Sequence, residues 1–438
     1  RKDYTMKKAL SLLLAAAIVL SIAGCGQSAA NTDNQGDTTV SVSGEGTAEA
    51  LSNPVALTED GDIDMEIALA YQTDIDALVA SLEAKEINPT DTVSDNSNEK
   101  TTKVFNWLRE QWGKKVILGQ QQNSSKEFED QVYYSVGGDL PAIRGYDMIF
   151  CTGAYLSDDY IDSAIEWHTN SNGLVSFCWH WNVPRDIDDT SKGYAFYSED
   201  ITNFSFENAV TPGTKEYEVV IHDIDLIATK LQRLEAAGVP VIWRPLHEAS
   251  GSWFWWGLTK ESFESQCYQK LWYIIYDRLE NYHKLTNLIW AWNGQSDRVN
   301  VNPNTYDIAG TDIYPDSEDH RSQISYYNNL EKITGEGKMI ALTECGYIPD
   351  AEEMWKDGAN WLYYMPWNDG FVFKTTGSGA AVVDIDGNAS INTDRMSEEF
   401  LKKQFDDDTV ITWSDLPDWG GTERNLPNRI LLWKSGMA

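Results

Sequence analysis

Two glutamates, Glu248 and Glu344, each end an apolar run of the chain. Glu248 closes Val-Ile-Trp-Arg-Pro-Leu-His-Glu, which begins at residue 241, and Glu344 closes Met-Ile-Ala-Leu-Thr-Glu, which begins at residue 339. Such runs predict strands buried on both faces, and packing gives these strands no reason to end in a carboxylate. Cleavage of a glycosidic bond requires two carboxyl groups, one that donates a proton and one that acts as nucleophile or base. The pair therefore predicts a sugar-cleaving site.

The residues around Glu248 fit this chemistry. The segment Gly-Ser-Trp-Phe-Trp-Trp-Gly at 251–257 follows it closely. Flat aromatic rings can stack on the apolar faces of sugars, and an apolar setting disfavours the charged form of a carboxyl group. We therefore expect Glu248 to act as the acid. Arg244 lies an even number of residues before Glu248 and is predicted to supply positive charge near Glu344, the expected nucleophile.

Eight short apolar runs, alternating with amphipathic helical stretches, must position these side chains. A pattern of this kind predicts repeated βα units around a parallel sheet. The predicted strands are 116–121, 140–147, 174–181, 239–248, 287–293, 308–314, 339–344 and 361–368. Helices are predicted at 221–237, where Gly238 stops the helix, and at 261–282.

Eight such units favour an α/β fold of the (β/α)8 TIM-barrel type, whose active sites lie at the carboxyl ends of the strands. Polar and aromatic residues stand at those ends: Asp147, His180, Trp181, His247, Glu248, Asn293, Asp312, Tyr314, Glu344, Trp367 and Asn368. A doubly wound sheet would also collect strand ends on one edge and remains the alternative.

The N-terminal region resembles a bacterial lipoprotein signal. Lys7 and Lys8 precede an apolar stretch at 9–23, and small residues lead to Cys25. We expect Cys25 to be lipidated, because the stretch is short for a retained membrane helix. The predicted organisation is 1–25, upstream residues plus signal peptide; 26–100, a polar linker with a short structured arm; 101–419, the catalytic domain; and 420–438, a poorly packed tail. The arm, at 63–87, is predicted to be a strand or extended segment followed by a helix.

Composition narrows the choice of partners. The formal net charge is −34, from 68 acidic and 34 basic side chains, which argues against binding to nucleic acid or an anionic membrane surface. The 18 Trp and 21 Tyr exceed what a core needs and indicate a groove lined with rings. The remaining cysteines, Cys151, Cys178, Cys267 and Cys345, lack zinc-site spacing; we favour free buried thiols over disulfides. No cofactor or metal is required, and a monomer is expected.

Several motifs together resemble glycoside hydrolase family 26, a (β/α)8 family of retaining endo-β-1,4-mannanases. They are Arg-Pro-Leu-His-Glu with the aromatic segment after it, Leu-Thr-Glu-Cys-Gly, Ile-Leu-Gly-Gln-Gln, Pro-Ala-Ile-Arg-Gly-Tyr-Asp, Trp-His-Trp-Asn and Met-Pro-Trp-Asn. The resemblance extends from about residue 103 to residue 419. It implies that Glu248 is the acid/base and Glu344 the nucleophile.

The resemblance also implies roles for side chains around this pair. His180 and His247 would contact the sugar at the cleavage point, and Trp253 would form a platform beside the leaving group. Tyr314 would donate a hydrogen bond to the nucleophile, and Trp367 would lie under the sugar. The full set of residues expected to bind substrate is His180, Trp181, Arg244, His247, Trp253, Trp256, Tyr314 and Trp367.

The implied function is cleavage of internal β-1,4 bonds in mannan, glucomannan or galactomannan, on the outer face of the cell membrane or after secretion. Two alternatives remain open from the sequence. One is a β-glycanase acting on mixed-linkage glucan or β-1,3-xylan, because related barrels change substrate through their loops. The other is a non-catalytic sugar-binding lipoprotein with two doubly wound lobes.

Overall fold

Eight parallel strands form the centre of the molecule. The computed structural model describes residues 52–122, 128–335, 337–385, 387–420, 424–427, 430 and 431. The strands are β1 (Val116–Gln121), β2 (Ile143–Asp147), β3 (Leu174–Cys178), β4 (Val241–Arg244), β5 (Leu288–Trp292), β6 (Ile308–Ile313), β7 (Met339–Cys345) and β8 (Tyr363–Pro366). All eight predicted strands are present. Their residues are almost all buried, as expected for strands covered on both faces.

Each strand pairs in parallel with the next one along the chain, and β8 pairs with β1 through Ile117 opposite Tyr363. This last pairing closes the sheet, so the predicted TIM barrel is confirmed and a doubly wound open sheet is excluded. The short strand Val410–Ile411 adds to the start of β1 beside this closure. Two further short strands, Val183–Pro184 and Tyr194–Ala195, form a hairpin in the loop after β3.

Helices surround the barrel. In chain order they are α1 (Met65–Ala70), α2 (Ile75–Ala84), α3 (Glu99–Gln111), α4 (Phe128–Gly137), α5 (Asp159–Ser171), α6 (Phe206–Ala209), α7 (Lys215–Ala236), α8 (Lys260–Glu264), α9 (Cys267–Asp277), α10 (Ile324–Thr334), α11 (Ala351–Asp357) and α12 (Glu398–Phe405). Thr214 caps the longest, α7, by accepting a hydrogen bond from the Tyr217 amide. Gly238, at φ 69°, follows its end as predicted.

The helix predicted at 261–282 is divided into three pieces. Gln266 has a left-handed backbone, at φ 52°, between α8 and α9, and this interrupts the run of helical hydrogen bonds. After α9 the chain continues as a π-helical turn at Arg278–Tyr282. The apolar spacing was compatible with one helix, because the break lies in backbone dihedrals that this spacing does not encode.

The predicted arm is part of a longer segment, 52–98, which lies against the barrel and is called the arm from here on. The strand or extended segment predicted at the start of 63–87 is wrong, because Met65–Ala70 is helical, whereas the helix predicted after it is present as α2. Asp64 explains the difference: its side chain accepts from the amides of Glu66 and Ile67 and so stabilises the first helical turn. The helix is then held at its end by the Arg278 guanidinium, which donates to the Ala68 carbonyl over 2.9 Å.

The polar stretch at 88–100 is also attached to the barrel rather than extended as a linker. Its Val93 amide donates to Asp307 over 2.8 Å, and the Ser94 hydroxyl donates to Glu280 over 2.6 Å. Because these donors meet buried carboxylates, the stretch gains order without a large apolar surface of its own. The division between residues 100 and 101 therefore does not separate two structural units.

Parts of the predicted tail are ordered as well. The Asn425 amide donates to the Asn170 carbonyl, and Ile430 is fully buried, so these residues pack on the domain. Cys151, Cys178, Cys267 and Cys345 are free and buried, which confirms the prediction for them. Within the described ranges, no helix combines the length and apolar character needed to cross a bilayer. The predicted signal and Cys25 lie outside the described residues.

Candidate active site

Glu248 lies on a turn beyond the end of β4. The predicted strand reached Glu248, but β4 ends at Arg244, because Pro245 has no amide proton for the ladder. Leu246 and Glu248 then have positive φ angles of 53° and 55°, a conformation that side chains other than glycine rarely adopt. The Glu248 amide donates to the Asn293 carbonyl over 2.9 Å, which holds this turn in place. Strained backbone of this kind is concentrated at functional sites.

Glu344 is positioned by a β-bulge in β7. Thr311 of β6 pairs with Leu342, but Asp312 pairs with Glu344, so the register shifts by one residue around Thr343. Thr343 still points inward, since its hydroxyl donates to Asp312 Oδ1 over 2.6 Å. Two consecutive side chains therefore lie opposite Asp312, which brings the Glu344 carboxylate into the mouth of the barrel.

The two predicted catalytic carboxylates meet across the barrel mouth. One oxygen each from Glu248, Asp312 and Glu344 lies within 4.8 Å of the other two. Retaining glycoside hydrolases have their two carboxyl groups about 5–5.5 Å apart, whereas inverting enzymes leave about 6.5–9.5 Å for a water molecule. The short separation between Glu248 and Glu344 fits the retaining arrangement.

Different hydrogen bonds fix the two glutamates. Trp253 donates its indole N–H to Glu248 Oε2 over 2.8 Å. Arg244 donates to Glu344 Oε1 over 2.6 Å, and the Tyr314 hydroxyl donates to Glu344 Oε2 over 2.6 Å. Both oxygens of Glu344 thus accept strong donors, one of them cationic, and such bonds stabilise a charged carboxylate. Glu248 receives no cation among these bonds.

Arg244 and Tyr314 are held in the protonation states that these bonds require. Burial by itself lowers the pKa of Arg244, but the charges of Asp312 and Glu344 raise it well above its ordinary value. The guanidinium also donates to Asp312 Oδ2 over 3.1 Å. Burial, together with the charge of Glu344, raises the pKa of Tyr314 well above that of a free phenol. Both side chains therefore remain proton donors near neutral pH.

His180 and Asp147 form a second pair of interacting side chains, near the pair formed by Arg244 and Glu344. His180 follows β3, and its Nδ1 is 2.5 Å from Asp147 Oδ2, while its amide donates to Asp147 Oδ1. Burial lowers the pKa of His180, but the charge and hydrogen bond of Asp147, with the charges of Glu344 and Glu248, raise it above its ordinary value. His180 Nε2 lies 3.3 Å from Nε2 of His247, so the two predicted histidines are in direct contact.

The predicted aromatic residues divide into two groups. Trp253 and Trp367 are partly exposed, and Trp367 lies 5.9 Å from His180, centroid to centroid. Trp181 and Trp256 are fully buried, so their prediction as substrate contacts is wrong. Trp181 donates to Asp223 and stacks on another tryptophan, and Trp256 donates to the His247 carbonyl. These two rings support the site from behind, because a fully buried ring has no face left for a sugar.

Three further side chains complete the site: Asp147, Asn293 and Asp312. In the sequence, each of these residues ends an apolar run. That position indicated a place at the barrel mouth but not what the residue does there. Asn293 donates to Asp312 Oδ1 over 2.8 Å, and Asp312 in turn accepts from Arg244. Asp312 thus fixes the guanidinium that holds Glu344. The sequence did not indicate a role for Thr343, because its hydrogen bond to Asp312 depends on the β-bulge.

A closed (β/α)8 barrel with two carboxylates meeting at the carboxyl ends of its strands defines the class of glycoside hydrolases with two catalytic carboxyl groups. Residues 93–384 match the family model described as Glycosyl hydrolase family 26, and the chain belongs to this family.

Named relatives agree with this assignment. The chain is 36% identical over 343 residues to mannan endo-1,4-beta-mannosidase B of Piromyces sp, an alignment that covers 76% of this chain and 54% of the relative. It is 28% identical to a mannan endo-1,4-beta-mannosidase of Bacillus subtilis strain 168, over 67% of this chain and 85% of the relative. The chain spans only about half the length of the first of these curated relatives.

Solved structures show the same fold. A Podospora anserina GH26-CBM35 beta-(1,4)-mannanase is 31% identical, with a TM-score of 0.64, over 77% of this chain and 70% of that one. A beta-mannanase from a symbiotic protist of the termite Reticulitermes speratus, solved with gluco-manno-oligosaccharide, is 29% identical, with a TM-score of 0.64, over 76% of this chain and 99% of that one.

Proposed function

We propose that the protein is a retaining endo-β-1,4-mannanase that cuts internal bonds of mannan, glucomannan or galactomannan. The observation that carries this proposal is the separation of at most 4.8 Å between carboxylate oxygens of Glu248 and Glu344. This gap admits an anomeric carbon but leaves no place for an attacking water between the carboxylates and the sugar.

The reaction proceeds in two displacements. A Glu344 oxygen attacks the anomeric carbon while protonated Glu248 gives its proton to the leaving glycosidic oxygen, so a glycosyl ester forms and the C–O bond breaks. Glu248, now a carboxylate, then takes a proton from water. The resulting hydroxide oxygen attacks the anomeric carbon, releases Glu344 as carboxylate and restores the starting configuration.

The surrounding side chains serve these steps. Arg244 and Tyr314 aim Glu344 and keep it ionised before attack. The Trp253 indole N–H holds Glu248 in place through a hydrogen bond to Oε2. His180 contacts the sugar at the cleavage point, and the Trp367 ring lies under it. His247 is fully buried, so it acts on the sugar only through its contact with His180. Trp253, which borders the acid, is the platform on the leaving-group side.

The choice of substrate is supported by the relatives, which are named as mannan endo-1,4-beta-mannosidases, and by the related structure solved with gluco-manno-oligosaccharide. Mixed-linkage glucan and β-1,3-xylan remain the alternative substrates, because recognition of an axial or an equatorial hydroxyl near His180 would separate mannose from glucose and xylose. A capture protein with two doubly wound lobes is excluded by the single closed barrel.

A substrate panel with a stereochemical readout tests this function. Release of reducing ends is measured on linear mannan, glucomannan, galactomannan, mixed-linkage glucan and β-1,3-xylan, with Glu248→Gln and Glu344→Gln as controls. We expect the highest kcat/KM on a mannan and β-configured new reducing ends by proton NMR in the first minutes. Initial products of the α configuration would refute the retaining mechanism, and faster turnover of glucan or xylan would refute the substrate.

We also propose that the enzyme is a monomeric lipoprotein on the outer face of the cell membrane, attached through lipidated Cys25. The basic residues, apolar stretch and small residues before Cys25 support this proposal. Expression in a bacterial host with a labelled fatty acid tests it. We expect label in the wild-type protein and none in Cys25→Ser, with Cys151→Ser as the cysteine control; label in Cys25→Ser would refute the anchor.

A further inference from the structure

Three side chains in the barrel mouth form a cluster: Asp147, Cys178 and His180. The hydrolytic mechanism gives a role to His180 but none to Cys178. Asp147 and Cys178 are paired residues at the ends of β2 and β3, and His180 follows two positions later. One donor atom from each, a carboxylate oxygen, the thiol sulfur and an imidazole nitrogen, lies within 4.8 Å of the other two. The strand register thus brings three different metal-binding groups to one point.

These donors form a set that prefers borderline and soft cations. Sulfur, imidazole nitrogen and one carboxylate oxygen are the ligands of zinc sites, and three protein ligands with an open fourth position are typical of sites that exchange a water. Hydrolysis by Glu248 and Glu344 assigns no step to Cys178. Among the described residues, the Cys178 thiol has one hydrogen bond, a 3.9 Å contact from the Gln121 side-chain amide.

A cation can reach this cluster from the cleft. Cys178 is only 2% exposed, but the side chains of His180 and Asp147 are 12% and 11% exposed. These two partly exposed side chains are therefore nearer to solvent than the thiol, and a cation would reach them first.

We propose that Asp147, Cys178 and His180 form an inhibitory site for Zn²⁺ or Cd²⁺. As the metal bonds to His180 Nδ1 and to the Cys178 sulfur form, two protons leave to solvent: the Nδ1 proton that His180 shares with Asp147, and the thiol proton. His180 is then no longer oriented for the sugar, and the fourth ligand of the cation blocks the cleavage point. The inhibitory effect, but not the binding, rests on the proposed function.

A second cluster of possible ligands in the barrel mouth consists only of carboxylates. It is a weaker candidate for binding Zn²⁺ or Cd²⁺. Glu248, Asp312 and Glu344 also place oxygens within 4.8 Å of one another. However, Arg244 lies 3.1 Å from Asp312 and 2.6 Å from Glu344, and its charge repels a second cation. Ligands that are all oxygen suit Mg²⁺ or Ca²⁺ better than Zn²⁺ or Cd²⁺.

Three variants and two readouts test the site. Inhibition of mannan hydrolysis by ZnCl₂ and by CdCl₂ is measured for wild type, Cys178→Ser and Cys267→Ser, which replaces a buried thiol on α9. We expect Cys178→Ser to keep its metal-free activity and to raise the inhibitory concentration by at least about tenfold. Cys267→Ser should match wild type. If Cys178→Ser does not fold, Cys178→Ala takes its place.

The second readout does not depend on turnover. Wild-type protein titrated with Co²⁺ should show a near-ultraviolet thiolate-to-cobalt absorption band that Cys178→Ser lacks and Cys267→Ser retains. An enzyme inactive on every glycan but with this band would refute the proposed function and keep the metal site. Absence of the band would overturn the metal site. In an active enzyme, equal inhibition of wild type and Cys178→Ser, or absence of inhibition, would overturn the inhibitory site.

Discussion

Two groups of buried carboxylates in this protein have similar burial but different surroundings. The mouth carboxylates are Asp147, Glu248, Asp312 and Glu344, at the carboxyl ends of the strands. The flank carboxylates are Asp225, Glu235, Glu280 and Asp307, where the arm and the loops under it meet the barrel. Seven of the eight residues are less than 10% exposed, and the side chain of the eighth, Asp312, is fully buried. Burial of an acidic group therefore does not by itself identify a catalytic residue.

The flank carboxylates mostly accept hydrogen bonds from neutral, fixed donors. Glu280 accepts from the Ser94 hydroxyl and the Trp290 indole, and Glu235 accepts from Ser52 and Thr286. Burial, the largest effect, raises the pKa of Glu280 to about 7 and that of Asp307 to about 6. These groups fasten one segment of the chain to another.

The mouth carboxylates differ in two respects. Three of them, Glu248, Asp312 and Glu344, lie close to one another. Basic side chains also contact the group: Arg244 contacts Asp312 and Glu344, and His180 contacts Asp147. Carboxylates this close repel each other unless cations hold them, and folding alone gains little from the arrangement. A cluster of carboxylates and cations facing a cleft is therefore the feature that separates a candidate site from structural acids.

Replacement of Glu344 by alanine gives the largest expected effect. Without a nucleophile no glycosyl ester forms, so kcat on mannan should fall on the order of 10⁴- to 10⁶-fold. Azide, a small nucleophile that fits the space left by the carboxylate, should restore turnover and release an α-mannosyl azide. Substantial activity of Glu344→Ala without azide would remove Glu344 from this role.

Replacement of Glu248 by alanine should separate the acid from the nucleophile. Loss of proton donation costs roughly 10²- to 10⁴-fold on mannan, but a leaving group that is already acidic needs no proton. We therefore expect the first step on a dinitrophenyl β-mannoside to be nearly as fast as in wild type, visible as a burst of phenolate. Equal losses on mannan and on the activated substrate would contradict the acid role.

Tyr314→Phe removes one hydrogen bond to Glu344 and should have a smaller effect. A hydrogen bond to a charged group contributes about 1.5–3 kcal/mol, so kcat/KM should fall about 10- to 100-fold. Tyr363→Phe is the matched control, because the Tyr363 hydroxyl is buried without a hydrogen-bond partner among the described residues. An equal loss in both variants would indicate a packing effect rather than a role for the Tyr314 bond.

Much of the barrel was predictable because it depends on local pattern. Apolar runs that alternate with helical spacing identified all eight strands, and the positions of Glu248 and Glu344 at run ends predicted that they converge. The resemblance to a known family added His180, His247 and Tyr314. These predictions required only the identity and order of residues along the chain.

The features that the sequence did not predict depend on backbone dihedrals and on distant contacts. The bulge at Thr343 and the positive φ of Glu248 aim the two carboxylates, and apolar periodicity carries no information on either. Trp181 and Trp256 were predicted to bind sugar because tryptophan suits both a groove and a core, and only the fold decides between them. Helix α1 was predicted as a strand or extended segment because apolar residues alternate along it. That pattern was given more weight than Asp64, which is a favourable N-cap residue for a helix.

Glu280→Gln should have the smallest effect on activity and is the sharpest test of the flank group. In wild type, the folded protein holds a proton on Glu280 up to a pKa of about 7, whereas the ordinary value is 4.5. Below about pH 4.5 both states carry that proton. Between these two values only the folded state does, so the free energy of unfolding falls as pH rises, by roughly 3 kcal/mol in total.

The Gln side chain has no proton to lose, and the Ser94 hydroxyl can turn to accept from its amide. We therefore expect the variant to lack this part of the decline, so that its stability relative to wild type increases from pH 5 to pH 8. Urea unfolding at both pH values measures the difference, and kcat/KM on mannan should stay within about twofold. Parallel stability curves would mean that Glu280 is ionised in the folded protein, and a large loss of activity would mean that the arm also positions the mouth.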